Sequence, residues 1–82
     1  MLNTPEEWVV HLHDGSVVRV WADAAEGLAG PEDDRDYRFM NLMDVSSEDQ
    51  EHFDIVGRTP SNAERVLVTV AHFPRSAVVR VT

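Results

Sequence analysis

The run Arg65-Val-Leu-Val-Thr-Val-Ala-His-Phe73 constrains this chain most, because it is the densest β-branched stretch in the sequence. Strands covered on both faces read as continuous apolar runs, so this segment is expected in the middle of a sheet rather than at its edge. Pro74 ends it, since proline cannot donate to a ladder and fixes its own φ. Ala77-Val-Val-Arg-Val-Thr82 reopens a short strand. Strict alternation there predicts Ala77, Val79 and Val81 on one face, with Val78 and Arg80 on the other. A long strand, a cramped Pro74-Arg75-Ser76 corner and a short closing strand suit the end of a small, sharply bent barrel.

The N-terminal half carries an equally local signal. After a lead-in at Thr4-Pro5-Glu6-Glu7, two alternating runs, Trp8–His13 and Ser16–Asp23, flank Asp14-Gly15 and predict a β-hairpin. The hydrophobic pattern also chooses the loop. A two-residue turn would place Trp8, Val10, Leu12, Val17, Arg19 and Trp21 on one face. A three-residue loop, with Gly15 at the left-handed position of a bulge, pairs Leu12 with Ser16. One face then reads Trp8, Val10, Leu12, Val18, Val20, Ala22, which is uniformly apolar. Register follows the pattern that buries one clean face, so the bulged loop is expected. The opposite face reads Val9, His11, Val17, Arg19 and Trp21.

Between these ends, residues 24–35 are expected as a loop broken by Gly27, Gly30 and Pro31, with no more than one helical turn over Ala24–Leu28. Its acids, Asp33 among them, are expected to be solvated. Asp36–Asp44 reads as a strand with apolar residues on both sides: Tyr37, Phe39 and Met43 against Met40 and Leu42. Ser46, with Asp49 three residues on, offers capping chemistry for one turn. His52–Thr59 reads as another strand, and residues 60–64 turn the chain into the central run. The expected fold is all-β: a small antiparallel barrel of five or six strands, SH3-like, or a strongly curled sheet, with at most one short helical turn. The whole of residues 1–82 is expected to form one domain.

Composition narrows function mainly by exclusion. A chain of 82 residues buries only roughly 60–65% of its unfolded surface, which leaves room for one modest core. No apolar run reaches the roughly 18–20 residues of a bilayer span, and Met1–Glu7 lacks the features of a secretory leader, so a cytoplasmic location without membrane contact is expected. With no Cys, thiol catalysis and thiolate metal sites are excluded. The net charge is −8, and all seven basic residues are Arg. The acidic, Lys-free composition reads as a GC-rich bacterial genome or, alternatively, as adaptation to high salt, where acidic, Lys-poor surfaces stay hydrated. The acidic field disfavours nucleic acid and anionic membranes as partners. Charge is unevenly placed: residues 1–64 sum to −11 and residues 65–82 to +3.

No catalytic motif is present: there is no Gly-x-Ser-x-Gly elbow and no Gly-rich phosphate cradle, so an enzyme is not expected, and neither is a cofactor. His11 and His13, two apart on a strand, would share a side and could bind zinc or nickel with a third ligand such as His72, His52, Asp14 or Asp23. The acidic groups Glu32–Asp36 and Asp44–Glu51 lack the spacing of a calcium loop. Trp21 departs from the local pattern. A tryptophan beside Arg19 and His11 on a mixed face has the composition of a protein-interaction hot spot. Val9, His11, Val17, Arg19 and Trp21 are therefore the expected partner-binding residues, for a protein partner or a homo-oligomer.

Leu12-His-Asp-Gly-Ser-Val-Val18 and Met40-Asn-Leu-Met-Asp-Val45 resemble the first motif of Sm-like proteins. That resemblance implies a five-stranded barrel, assembly into a ring, and RNA binding. Asp36 lies one position further from Met40-Asn41 than the motif places its aspartate, and no Arg-Gly pair follows. The expected function is a small non-enzymatic β-module that acts by protein–protein contact or self-association. A metal- or small-ligand-binding barrel using His11 and His13, and an Sm-like RNA-binding ring, are the alternatives.

Overall fold

The computed structural model describes residues 6–30 and 32–82; the lead-in at Thr4-Pro5 and the breaker at Pro31 lie outside them. Seven strands form in chain order: β1 (Glu6–Leu12), β2 (Val17–Ala22), β3 (Ala24–Glu26), β4 (Tyr37–Asp44), β5 (Ile55–Thr59), β6 (Asn62–Phe73) and β7 (Val78–Val81). Among the described residues the only helical pieces are two 3-10 turns, Gln50–His52 and Arg75–Ala77. The strands make two antiparallel sheets, ordered β2-β1-β7 and β3-β4-β6-β5. Only Asp23 separates β2 from β3, so one sheet bends into the other and the chain curls into a half-barrel. The fold is all-β, as the alternating pattern requires.

The first hairpin takes the register that buries a clean face. Val10 pairs with Val18 and Trp8 with Val20, and the Leu12 N–H donates to the Ser16 carbonyl at 2.9 Å. Gly15 has φ +90°, the left-handed conformation the bulged loop demands. The Asp14 carboxylate accepts from the Ser16 N–H at 2.8 Å and closes the loop. Hydrogen bonding from the Ser16 side chain first, and from its backbone N–H second, holds the Asp14 carboxyl below its usual range.

β6 is central, flanked by β4 and β5. A bulge lets it serve two parts of the core. Its pairing with β4 slips by one residue between Phe39↔Ala71 and Met40↔Thr69, so Val70 is the extra residue and lies exposed. Before the bulge, Val66 and Val68 pack with Val45, Met43 and Ile55. After it, Ala71 and Phe73 pack with Val10, Val20, Ala22, Phe39 and Val78. Phe39 is fully buried, with ring centroids 5.9 Å from Trp8 and 6.1 Å from Phe73.

Three expectations are corrected. Residues 24–26 are a strand, not loop or helical turn, because they pair with Phe39 and its neighbours across β4. In β7 strict alternation fails. The register steps from Leu12↔Val78 to His11↔Arg80, so Val79 is a bulge residue, 51% exposed, while Val78 is 7% exposed in the core. β5 begins at Ile55 and β6 at Asn62, so Pro60-Ser61 alone make the turn between them.

Candidate functional site

The five residues singled out from the sequence share one face, as the register dictates. Val9 lies opposite Arg19, His11 opposite Val17, and Glu7 opposite Trp21. On the far side of β1, His11 pairs with Arg80, and Val9 exchanges two 2.9 Å backbone hydrogen bonds with Thr82. This is the outer face of the first sheet. Trp21 and Val17 are each 55% exposed, whereas Val9 and His11 are half-buried. Arg19 donates to Glu7 at 3.0 Å, and His11 Nε2 lies 3.4 Å from Thr82 Oγ1. Arg80 is exposed and has no ion-pair partner among the described residues.

Trp21 is held from behind. Asn41 Nδ2 donates to the Trp21 carbonyl at 3.3 Å, and Asn41 Oδ1 accepts from the Asp23 N–H at 2.8 Å. Asp23 replies through its carboxylate, which accepts from the Leu42 N–H at 3.0 Å. These bonds join the two sheets at the bend where β2 gives way to β3. They also fix the backbone that carries Trp21, so its exposure does not come from a loose segment.

A second cluster, which sequence reasoning missed, surrounds Arg75. Its guanidinium lies 4.3 Å from the centre of the Tyr37 ring and donates to the Tyr37 hydroxyl at 3.0 Å and to the carbonyls of Arg35 and Gly27. The Arg75 N–H donates to Asp36 Oδ1 at 3.0 Å, and His72 Nε2–H donates to Asp36 Oδ2 at 2.9 Å. The Arg75 backbone bond first, and His72 second, hold the Asp36 carboxyl below its usual range. Beside it opens a cleft of about 330 Å³ lined by Glu26, Arg35, Asp36, Arg38 and His72. Register places Glu26, Arg38 and His72 in a row across β3, β4 and β6. The Asp36–His72 pair orients an imidazole, but no lining residue is a hydroxyl or thiol nucleophile. Partners separated by 36 to 48 positions leave no local signature of this cluster in the sequence.

Asp33 corrects the expectation of a solvated acidic loop. Only 4% of its side-chain surface is exposed. It accepts from the Ala29 and Arg35 N–H groups and, through both carboxylate oxygens, from the Arg35 guanidinium. The Arg35 side chain, followed by the Arg35 backbone, holds the Asp33 carboxyl well below the usual range. Asp33→Ala should therefore lower the melting temperature clearly more than Asp34→Ala. Because the folded-state value lies below the unfolded one, ionised Asp33 stabilises the fold above the ordinary value of 3.8 and less as the pH falls below it. In acid titrations followed by circular dichroism, the stability gap between the wild type and Asp33→Asn should be full above about pH 4 and close below it.

The histidines do not converge. His13 lies in the loop beyond β1, and His72 is engaged with Asp36. Among the described residues no three His, Asp or Glu side chains are grouped to hold a metal ion. No helix among them is long and apolar enough to cross a membrane.

The molecule is thus an all-β, curled-sheet protein with an aromatic and basic outer face on one sheet and a polar cleft on the other. Comparison with known proteins found no matching family model, no matching curated protein and no matching solved structure.

Proposed function

We propose that the chain is a non-enzymatic, cytoplasmic interaction module that acts through the outer face of its first sheet. Val9, His11, Val17, Arg19 and Trp21 form the contact surface, and Arg80 adjoins it on β7. The observation that carries this reading is Trp21, 55% exposed on a regular strand whose other face is packed into the core. A large aromatic side chain held in place loses little conformational freedom on binding, and an adjoining Arg adds directional hydrogen bonds. Val17 and Val79, also more than half exposed, widen the apolar area.

Trp21→Ser is the test. Over half of the side chain is already in water, so the substitution should leave the melting temperature within about 4 °C of wild type, the equivalent of less than about 1 kcal/mol. It should nevertheless abolish self-association or the retention of a partner by the immobilised chain. If association state and retained proteins are both unchanged, the surface has been wrongly assigned.

A further inference from the structure

We infer that the partner of the Trp21 face is a second copy of this chain, bound head to tail through the segment around Phe53. The inference rests on the proposed interaction face and names its occupant. Among the described residues the face carries a neutral Arg19–Glu7 pair, the His11 imidazole, and Arg80, which has no carboxylate partner. It is therefore a basic surface on a chain of net charge −8. Laying two such faces together about a two-fold axis would bring arginines toward arginines and cover no acid except the paired Glu7. An isologous dimer is disfavoured on that ground.

The complementary surface lies on the second sheet. Phe53 is 44% exposed where the 3-10 turn Gln50–His52 ends, and Val56, 39% exposed, follows it in β5. β5 is one of the two edge strands of its sheet. In the chain this apolar pair is flanked by the exposed acids Glu48, Asp49, Glu51 and Asp54, and Glu64 is tied to the start of the same segment by the Val45 and Ser47 N–H groups, which donate to its carbonyl and carboxylate. Two arginines offset only part of this charge: Arg65, which donates to Asp44 at 3.2 Å, and Arg58, which donates to the neutral Gln50 side-chain oxygen at 3.1 and 3.2 Å. The region is held in shape by Gln50, whose amide donates to the carbonyls of Val45 and Ala63. One surface thus offers an exposed Trp with basic neighbours, and the other an exposed Phe with acidic ones. A contact between two different patches does not close on itself in one step, so it builds a ring or an open chain of copies. Because its long-range attraction is electrostatic, it should weaken as salt is added.

Sedimentation velocity on the full chain tests this directly through complementation. Wild type should form species larger than a dimer as concentration rises, and less of them at 1 M salt, where the screening length is roughly 3 Å, than at about 0.1 M, where it is roughly 10 Å. Trp21→Ser, which retains the Phe53 surface, and Phe53→Ser, which retains the Trp21 surface, should each sediment as monomers. An equimolar mixture should yield a complex of two chains and stop there, since each partner has one intact surface. Arg80→Glu and Asp54→Lys, both on the surface, form a second complementing pair that does not depend on either aromatic substitution folding well. A wild type that stays monomeric overturns the inference but leaves the Trp21 face available to a different protein, which the retention experiment above detects. A variant that still dimerises alone, or a mixture that stays monomeric while wild type associates, also overturns it.

Discussion

Phe39→Ala is expected to cost about 3–5 kcal/mol, the largest loss from a single truncation among the described residues. Phe39 is fully buried and lies between the aromatic rings of Trp8 and Phe73, which come from strands of the two different sheets. It contributes the largest fully buried side chain among the described residues. Without it, the first sheet loses the contact that packs it across the second, and a void opens that neither Val10 nor Val78 can fill without moving its strand. A chain this short is stabilised by only roughly 4–12 kcal/mol in total. Urea denaturation should therefore find the variant partly unfolded in buffer, or with a midpoint far below wild type. A loss under about 1 kcal/mol would mean that Phe39 does not join the two sheets.

The second large effect is expected at Gly27. Its φ of +92° lies in the left-handed region, and a β-carbon there would sit 2.8 Å from the Asp36 carbonyl oxygen and 3.2 Å from the Tyr37 Cα. Both are backbone atoms that cannot yield without displacing β4 and the Arg75 cluster. Gly27→Ala combines backbone strain with overpacking, together about 2–5 kcal/mol. Gly15→Ala is the control. Its φ is almost the same, +90°, but nothing lies within 4 Å of the added carbon. It should cost only the conformational term, about 1–2 kcal/mol. Equal losses at the two sites would show that the approach of Gly27 to β4 is not tight.

Much of this architecture was legible wherever the signal was local. The alternation on either side of Asp14-Gly15 chose a three-residue loop, because only that register gathers Trp8, Val10, Val18, Val20 and Ala22 on one face. The same register sent Trp21 outward. The run ending at Phe73 announced a central strand, and Pro74 its end. What alternation cannot show is where it is interrupted. The bulges at Val70 and Val79 shift inward parity by one residue, and no residue type marks them; each is set by the partner strand. β3 was invisible for a related reason. Ala24-Ala25-Glu26 has weak strand propensity and is extended because β4 offers it a ladder. Asp33 and Arg75 look like surface charges until the fold brings Arg75 to the Gly27 carbonyl and the loop closes Asp33 around Arg35. The Asp23–Asn41 bonds that steady Trp21 are equally non-local.

With copies joined head to tail, the Trp21 face is open in the isolated chain and covered in the assembled one. The most direct measurement is collisional quenching by acrylamide in a Trp8→Phe chain, whose only remaining tryptophan is Trp21. Trp8 tolerates the change because its indole N–H is buried without a hydrogen-bond partner among the described residues, so Phe removes an unsatisfied donor and keeps an aromatic ring in the core. Quenching should be efficient in dilute solution and fall steeply as concentration brings copies together. Trp21 shielded at the lowest concentration would contradict an open interaction face, and Trp21 equally accessible across the whole range would contradict its burial by a second copy.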